Sequence, residues 1–283
     1  MKTSTQLKAL IRNRSKKTTV EAEILLRNYM MERFLERISL SNYKNNFILK
    51  GGMLIGSIVG IETRTTMDMD VTIKGQTLNT QEITAIVHEI LSVPVSDNVE
   101  FSLRDIEEIR EEANYPGYRI SIIAILEKTR QILKIDITTG DYVTPREIEY
   151  SFKLMFENRT IGIMAYNLET VLAEKFETIV TRGTTNTRMR DFYDIYIITN
   201  TQKFDERIFV NALGKTIEKR ETYKQMSDSS YAITMVSENL MMIELWKKYN
   251  KKYQYATDIT WDKVIGAVRV LASFAKYKDK PVR

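Results

Sequence analysis

The sequence predicts an α+β protein in which a mixed sheet is followed by a mostly helical C-terminal part. Two observations support this fold class. Apolar runs of strand length recur between residues 47 and 166, and apolar residues spaced three to four apart dominate the segments before and after that region. We therefore expect an α/β domain with N-terminal helices over residues 1–165 and a helical bundle over residues 166–283.

Each predicted element follows from one of these two patterns. The first forty residues are predicted to be helical, and Asn167 is the predicted N-cap of the first helix of the bundle. Strands are predicted over residues 47–49, 67–73, 99–106, 118–126, 131–138 and 160–166. Further helices are predicted over residues 53–59, 80–91, 168–180, 191–198, 205–219, 234–249 and 260–277.

The composition is that of a folded chain, with 43% hydrophobic and 28% charged residues among 283. The chain has no cysteine, which excludes disulfides and thiolate metal sites and fits a reducing cytoplasm. We find no signal peptide, and no apolar run approaches the ~18 residues of a membrane span. The net charge of +5 is compatible with a polyanionic partner such as RNA or a nucleotide.

Asp68 and Asp70 stand one residue apart in the predicted strand over 67–73 and would project from the same face. Two neighbouring carboxylates repel each other unless a proton or a cation lies between them. Their hard oxygen ligands suit Mg²⁺ or Mn²⁺. Two such ions, roughly 3.5–4 Å apart, can hold the attacking and leaving oxygens of a phosphoryl transfer.

A third carboxylate lies in the strand predicted over 131–138. Alternation places Leu133, Ile135 and Ile137 on one face, and Lys134 and Asp136 on the other. A neighbouring strand would bring Asp136 beside the first two aspartates. We therefore expect three carboxylates at a two-metal site, with Lys134 available to contact a phosphate.

Two glycine pairs are candidates for binding phosphate, which favours backbone N–H donors at a helix N-terminus. Gly56-Ser57 is read as a turn, and ten residues separate it from Asp68. Gly51-Gly52 lies further upstream, and the sequence does not decide between the pairs. Thr66, with Arg64 and Thr65, stands just before the aspartates and would assist.

These residues resemble the motif of DNA polymerase β-like nucleotidyltransferases, in which an apolar residue, Gly and Gly or Ser precede an Asp-x-Asp pair. Further segments occur in an order similar to the AbiEii/AbiGii toxins of bacterial abortive-infection systems. They are LKGG from Leu49, KID from Lys134, LAEKF from Leu172 and RMRDFYDIY from Arg188. The resemblance covers roughly residues 45–200.

The resemblance implies a metal-dependent toxin that transfers a nucleoside monophosphate from an NTP to RNA, with the tRNA 3′ end as the expected acceptor. It implies growth arrest in phage defence, a cytoplasmic location, Mg²⁺ or Mn²⁺, and a cognate antitoxin that need not bind the toxin directly. The helical domain is then expected to complete the active-site cleft. A phosphotransferase acting on protein or RNA and a non-catalytic RNA-binding protein are the alternatives.

Lys175 falls within the apolar stripe of the helix over 168–180, where a lysine must either extend to water or find an anion. If the protein is a nucleotidyltransferase, we expect the Lys175 ammonium to contact the triphosphate. Asp191 aligns with the core positions of the next helix, and we expect it to orient Lys175 or to accept the proton of the acceptor hydroxyl. Asp194 is the rival for this role.

Basic residues of the helical domain are candidates for contacting RNA, because lysines and arginines neutralise phosphates and aromatic rings stack on bases. The stretch WKKYNKKYQY interleaves lysines with aromatic residues. The RNA-contact candidates are Arg188, Arg190, Lys247 and Lys248.

Overall fold

The computed structural model describes residues 3–75, 79–110 and 116–275. The chain divides into two compact units. The sheet unit comprises the residues up to Asp141 together with Glu147–Tyr166, and the helical unit comprises Tyr142–Arg146 together with the residues from Asn167 onward.

The sheet unit alternates helices with strands. Its helices are α1 (Ser4–Lys17), α2 (Ala22–Leu40), α3 (Gly51–Val59) and α4 (Thr80–Ser92). Its strands are β1 (Phe47–Lys50), β2 (Met69–Ile73), β3 (Glu100–Arg110), β4 (Pro116–Leu126), β5 (Thr129–Thr139), β6 (Ile148–Lys153) and β7 (Thr160–Ala165).

Within the described residues, the seven strands form one mixed sheet in the order β3-β4-β5-β2-β1-β7-β6. Strand β2 runs parallel to β5 and antiparallel to β1, and β1 runs parallel to β7. The remaining neighbours, β3-β4, β4-β5 and β6-β7, are antiparallel hairpin partners. The mixed sheet followed by helices confirms the predicted fold class.

Helix α2 covers the apolar face of the sheet. Leu133, Ile135 and Ile137 alternate along β5 and are buried, as predicted. The ring of Phe34 on α2 meets that of Phe101 on β3 edge-on, with centroids 6.1 Å apart. Burial of this face leaves the polar residues of β5 and β2 on the opposite face.

The helical unit is built from amphipathic helices. They are α5 (Leu168–Arg182), α6 (Met189–Thr201), α7 (Glu206–Arg220), α8 (Tyr223–Ser227), α9 (Ser229–Glu238), α10 (Leu240–Lys252) and α11 (Trp261–Phe274). Asn167 caps α5 by accepting a hydrogen bond from the Thr170 N–H, as predicted. Helix α5 packs against α6 and α7, and α11 packs against α6 and α9.

Several predicted boundaries were wrong. The N-terminal forty residues form two helices, and the helix predicted over 234–249 is interrupted at Asn239, whose side chain caps α10. Strand β6 was not predicted. Strand β2 begins at Met69, so Asp68 lies in a bend just before the strand. The predicted end of the last helix at residue 277 lies outside the described residues. No helix in the described ranges is long and apolar enough to cross a membrane.

Candidate active site

A row of charged residues crosses the polar face of the sheet on five adjacent strands. Direct Cα partners link the residues from β3 to β1, and directly opposed residues point to the same face. In strand order, the row consists of Glu107, Arg119, Asp136, Asp70 and Lys50. The predicted neighbourhood of Asp70 and Asp136 is thus confirmed, because they are direct partners on the parallel strands β2 and β5.

Asp136 has a second neighbour that the sequence interpretation did not include. The Arg119 side chain donates from Nε to Oδ1 of Asp136 at 2.8 Å and from Nη2 to Oδ2 at 2.7 Å. This hydrogen-bonded carboxylate raises the pKa of Arg119, and the negative charge of Asp68 raises it further. Arg119 is therefore stabilised in its charged form by the negative charges of both Asp136 and Asp68.

The start of α3 lies against Asp70. Gly51 has φ +64°, and a Cβ at this position would approach Asp70 Oδ2 to 2.0 Å. The Gly52 N–H donates to the same oxygen over 3.4 Å. Because helix N-termini favour negative charge, this start of α3 suits an anion, and in this structure the anion beside it is the Asp70 carboxylate.

The other glycine pair does not form a turn. Gly56 and Ser57 lie inside α3, where backbone N–H groups bond within the helix, and a Cβ on Gly56 would come 2.6 Å from the Arg64 carbonyl oxygen. The Ser57 hydroxyl donates to the Leu54 carbonyl. The predicted Gly-Ser turn was wrong, because both residues lie inside α3, where Gly56 permits close packing of the chain at Arg64.

The remaining predicted residues of the sheet unit have separate positions. The Thr66 hydroxyl donates to the Asp68 carbonyl at 3.0 Å, so it orders the bend that carries Asp68. Lys134 is exposed on β5, on the face of Asp136 and opposite Ser121.

A polar network that the sequence interpretation did not include surrounds Thr72 and Thr138, which are direct partners two residues after Asp70 and Asp136. Lys50 Nζ donates to Thr138 Oγ1 at 2.8 Å and to Asp141 Oδ2 at 2.7 Å. The Thr72 hydroxyl lies 2.9 Å from that of Thr138 and 3.1 Å from that of Tyr166. The network links side chains of β1, β2 and β5 next to Asp70 and Asp136. Lys50 in LKGG was the available sequence signal, since it precedes the glycines directly.

The donor chemistry of the aspartates fits a divalent ion only in part. Asp68 and Asp70 offer the hard carboxylate oxygens that Mg²⁺ and Mn²⁺ bind. Asp136 does not fit as a third ligand in this arrangement, because Arg119 engages both of its oxygens. Across residues 3–75, 79–110 and 116–275, no group of three acidic or histidine side chains is arranged to hold a metal. The predicted three-carboxylate metal site is therefore not formed here.

The helical unit carries a second charged cluster, in which Lys175 on α5 lies between two carboxylates of α6. Its Nζ is 2.6 Å from Asp191 Oδ1 and 2.9 Å from Asp194 Oδ2. Asp194 is fully buried, whereas the Asp191 side chain keeps 14% of its surface exposed. Lys175 thus finds an anion within its apolar stripe, and both candidate aspartates contact it.

Three of the four predicted RNA-binding residues face solvent, and Arg190 is half-buried. Lys247, Lys248 and Arg188 are exposed. The aromatic residues between the lysines are mainly structural, because the rings of Trp246 and Tyr249 are buried and stack on each other with centroids 5.3 Å apart.

Arg190 has a partner within the helical unit. Its Nη2 donates to the Tyr253 hydroxyl at 2.9 Å, and its guanidinium lies 5.3 Å from the centre of the Tyr253 ring. Arg190 is therefore held against Tyr253, the residue that follows α10, and is less available than the exposed lysines.

Comparison with solved structures finds proteins of similar fold. A crystal structure of a proposed nucleotidyltransferase from H. pylori superposes with a TM-score of 0.52 at 14% identity, covering 91% of this chain and 96% of that one. The crystal structure of JHP933 from Helicobacter pylori gives a TM-score of 0.51 at 14% identity, covering 91% and 94%. These likenesses concern the fold.

Family membership rests on the sequence. None of the curated proteins compared with the chain matches it. The family described as nucleotidyl transferase AbiEii toxin, type IV TA system, matches residues 33–267, which is most of the chain. The chain therefore belongs to the AbiEii family of nucleotidyltransferase toxins of type IV toxin–antitoxin systems.

Proposed function

We propose that this protein transfers a nucleoside monophosphate from an NTP to the 3′ end of an RNA, with tRNA as the acceptor. In this reaction a bond forms between the acceptor 3′ oxygen and the α-phosphorus, the bond to the β-phosphate oxygen breaks, and pyrophosphate leaves. Blocking the 3′ end of tRNA would stop aminoacylation and growth, which suits a toxin of phage defence. We propose that the activity takes place in the cytoplasm and is controlled by a cognate antitoxin, as the type IV toxin–antitoxin family implies.

The observation that carries this proposal is the position of Asp70 beside the start of α3 in a chain of this family. Asp68 and Asp70 are the residues that would hold a divalent ion, Mg²⁺ or Mn²⁺, which when bound neutralises charge on the phosphates. The N–H groups at Gly51 and Gly52 would favour a phosphate oxygen by the same electrostatics that favour the Asp70 carboxylate. The sheet unit would thus bind the triphosphate through backbone donors and the ion.

Residues of the helical unit are assigned supporting roles. Lys175 would stabilise the negative charge of the departing pyrophosphate. Asp191 keeps part of its surface in water, so it is the better candidate for orienting Lys175 toward substrate or for accepting the hydroxyl proton. The buried Asp194 would anchor the ammonium. Lys247, Lys248 and Arg188 would contact RNA phosphates, with Arg190 in a lesser role.

The test is incubation of the purified protein and total tRNA with NTPs labelled at either the α or the γ phosphate. Label should pass to RNA from the α position alone, and sequencing of RNA 3′ ends should identify the added base and the acceptor. Label transfer from the γ position would instead indicate a phosphotransferase. RNA binding without transfer of label from either position would indicate a binding protein.

Substitution of the paired aspartates tests the site itself. Asp68→Ala and Asp70→Ala should each reduce transfer by about 10³-fold or more, because charge stabilisation in the transition state is lost. Glu108→Gln, which neutralises an exposed carboxylate on β3, is the matched control and should retain activity.

A further inference from the structure

Arg119 binds Asp136 in the geometry in which arginine recognises a carboxylate most specifically. Two parallel hydrogen bonds, 2.8 and 2.7 Å long, join two nitrogens of the guanidinium to the two carboxylate oxygens. The residues are direct partners on the antiparallel strands β4 and β5, so the backbone holds the two side chains on the same face. The pair is thus built into the hairpin.

The guanidinium occupies the region where the acidic residues converge. Asp136 is the direct partner of Asp70 on β2, and the charge of Asp68 also acts on Arg119. Two neighbouring carboxylates need a counter-cation, and Arg119 supplies one from within the chain. This contact offsets the repulsion between Asp70 and Asp136, which are direct strand partners.

A divalent ion and a guanidinium that binds both oxygens compete for the same carboxylate, because their positive charges repel each other at this distance. We propose that Arg119 is a built-in competitor of divalent cations at Asp136, so that the third carboxylate joins a metal site only when the guanidinium leaves. The inference rests on the proposed function, since it takes Asp68 and Asp70 as the other metal ligands.

The exchange requires only a side-chain movement. The Arg119 side chain is 37% exposed and that of Asp136 is 18% exposed, so water reaches the pair. Residues 118–126 of β4 pair with residues 129–137 of β5, so the backbone stays in place while the guanidinium rotates. The phosphates of an NTP offer the released guanidinium another partner of suitable shape, so metal and nucleotide would bind cooperatively.

The experiment is a titration of the intact, nucleotide-free protein with Mn²⁺, with free Mn²⁺ followed by electron paramagnetic resonance. Arg119→Gln should tighten Mn²⁺ binding by up to about fivefold, the upper end of the range expected for the loss of a partly exposed ion pair. Arg119→Lys, which keeps the charge but not the fork, should give an intermediate affinity. Arg130→Gln removes an exposed positive charge from the same face of β5, six residues from Asp136, and should change affinity less.

Asp136→Asn supplies the second half of the test. The gain from Arg119→Gln should disappear when Asp136→Asn is added, because the freed carboxylate is its source. An unchanged or weaker affinity in Arg119→Gln, a gain that survives Asp136→Asn, or no Mn²⁺ binding in any variant would each overturn the proposal. If circular dichroism shows that Arg119→Gln is unfolded, Arg119→Lys replaces it in the test. Arg119→Lys should then bind Mn²⁺ more tightly than wild type, and this gain should disappear when Asp136→Asn is added to both proteins. An unchanged or weaker affinity, or a gain that survives Asp136→Asn, would overturn the proposal. Transfer of α-label to RNA is measured in a separate experiment, so the proposed function can fail without affecting the result of the Mn²⁺ titration.

Discussion

Gly51 and Asp70 are in such close contact that only a glycine fits, since a Cβ on Gly51 would lie 2.0 Å from Asp70 Oδ2. The φ of +64° at Gly51 independently favours glycine. The two residues join the end of β1 to β2, and hence the start of α3 to the acidic pair. Any side chain at residue 51 must displace the Asp70 carboxylate.

We therefore predict that Gly51→Ala lowers both stability and activity. The left-handed backbone alone costs alanine about 1–2 kcal/mol, and overpacking against Asp70 adds roughly 1–3 kcal/mol. Gly75→Ala is the matched control, because Gly75 has φ +88° in the same unit and no atom of the described residues lies within 4 Å of its Cβ position. Urea unfolding and α-label transfer are the measurements. Equal midpoints for the two variants, with full activity in Gly51→Ala, would refute the contact as a functional constraint.

The sequence predicted the acidic pair and its strands, but it did not predict Arg119. The missing information was the register of the β4-β5 hairpin. Leu126 pairs with Thr129, which leaves Glu127 and Lys128 as a two-residue turn, and counting back from that turn puts Arg119 opposite Asp136. Glu127 takes the positive φ of +53° that such turns need. Because Glu-Lys lacks the usual Asn-Gly or Asp-Gly signal, local chemistry did not reveal the turn.

The choice between the two glycine pairs was also beyond the sequence. Both pairs fall within one short helix, α3, and a motif spacing does not say which glycine meets a ligand and which meets the chain. The Arg64 carbonyl against Gly56 is a tertiary contact, and so is Asp70 against Gly51. The contact of Lys175 with Asp191 was predictable, because a lysine inside an apolar stripe needs either water or an anion; its role toward the triphosphate stays a prediction.

The Lys175 cluster predicts a separation of stability from activity. Asp194→Asn removes a fully buried charge from Lys175 and should destabilise the protein by roughly 3 kcal/mol or more. Asp191→Asn alters a partly exposed partner, so it should cost less stability while strongly reducing nucleotide transfer. Urea unfolding and α-label transfer on both variants make the comparison. If the two variants lose equal stability, or Asp191→Asn keeps full activity, the division of roles is wrong.

Glu32 predicts a pH dependence of stability. Burial raises the pKa of this α2 carboxyl from 4.5 to about 8, although both its oxygens lie 3.0 Å from the Met155 N–H. Between these values the folded state binds a proton that the unfolded state does not, so the free energy of unfolding falls as pH rises. This contribution is fully present below pH 4.5 and is lost as the pH passes about 8.

Glu32→Gln tests this dependence, because glutamine resembles the neutral carboxyl and does not titrate. The variant should flatten the fall in unfolding free energy between pH 5.5 and 8.5, an effect of about 1 kcal/mol or more. Glu62→Gln, at an exposed glutamate of the same unit, should leave the slope unchanged. Chemical denaturation at several pH values measures both slopes, and parallel curves for wild type and Glu32→Gln would contradict the assignment.

Lys247 and Lys248 predict a salt signature for RNA binding. Each lysine that neutralises a phosphate releases counterions, so its loss should lower the slope of log affinity against log salt by about 0.7–0.9. The double variant Lys247→Ala/Lys248→Ala should therefore weaken tRNA binding at low salt and flatten the salt dependence by up to roughly two. Lys16→Ala/Lys17→Ala removes two adjacent exposed lysines from α1 and is the matched control. Fluorescence anisotropy with labelled tRNA gives the salt slopes of both variants. The neighbouring side chains of Trp246 and Tyr249 are buried, so the substitutions could also disturb the packing of α10. A loss of affinity without a change of salt slope would indicate such repacking and would contradict the loss of phosphate contacts.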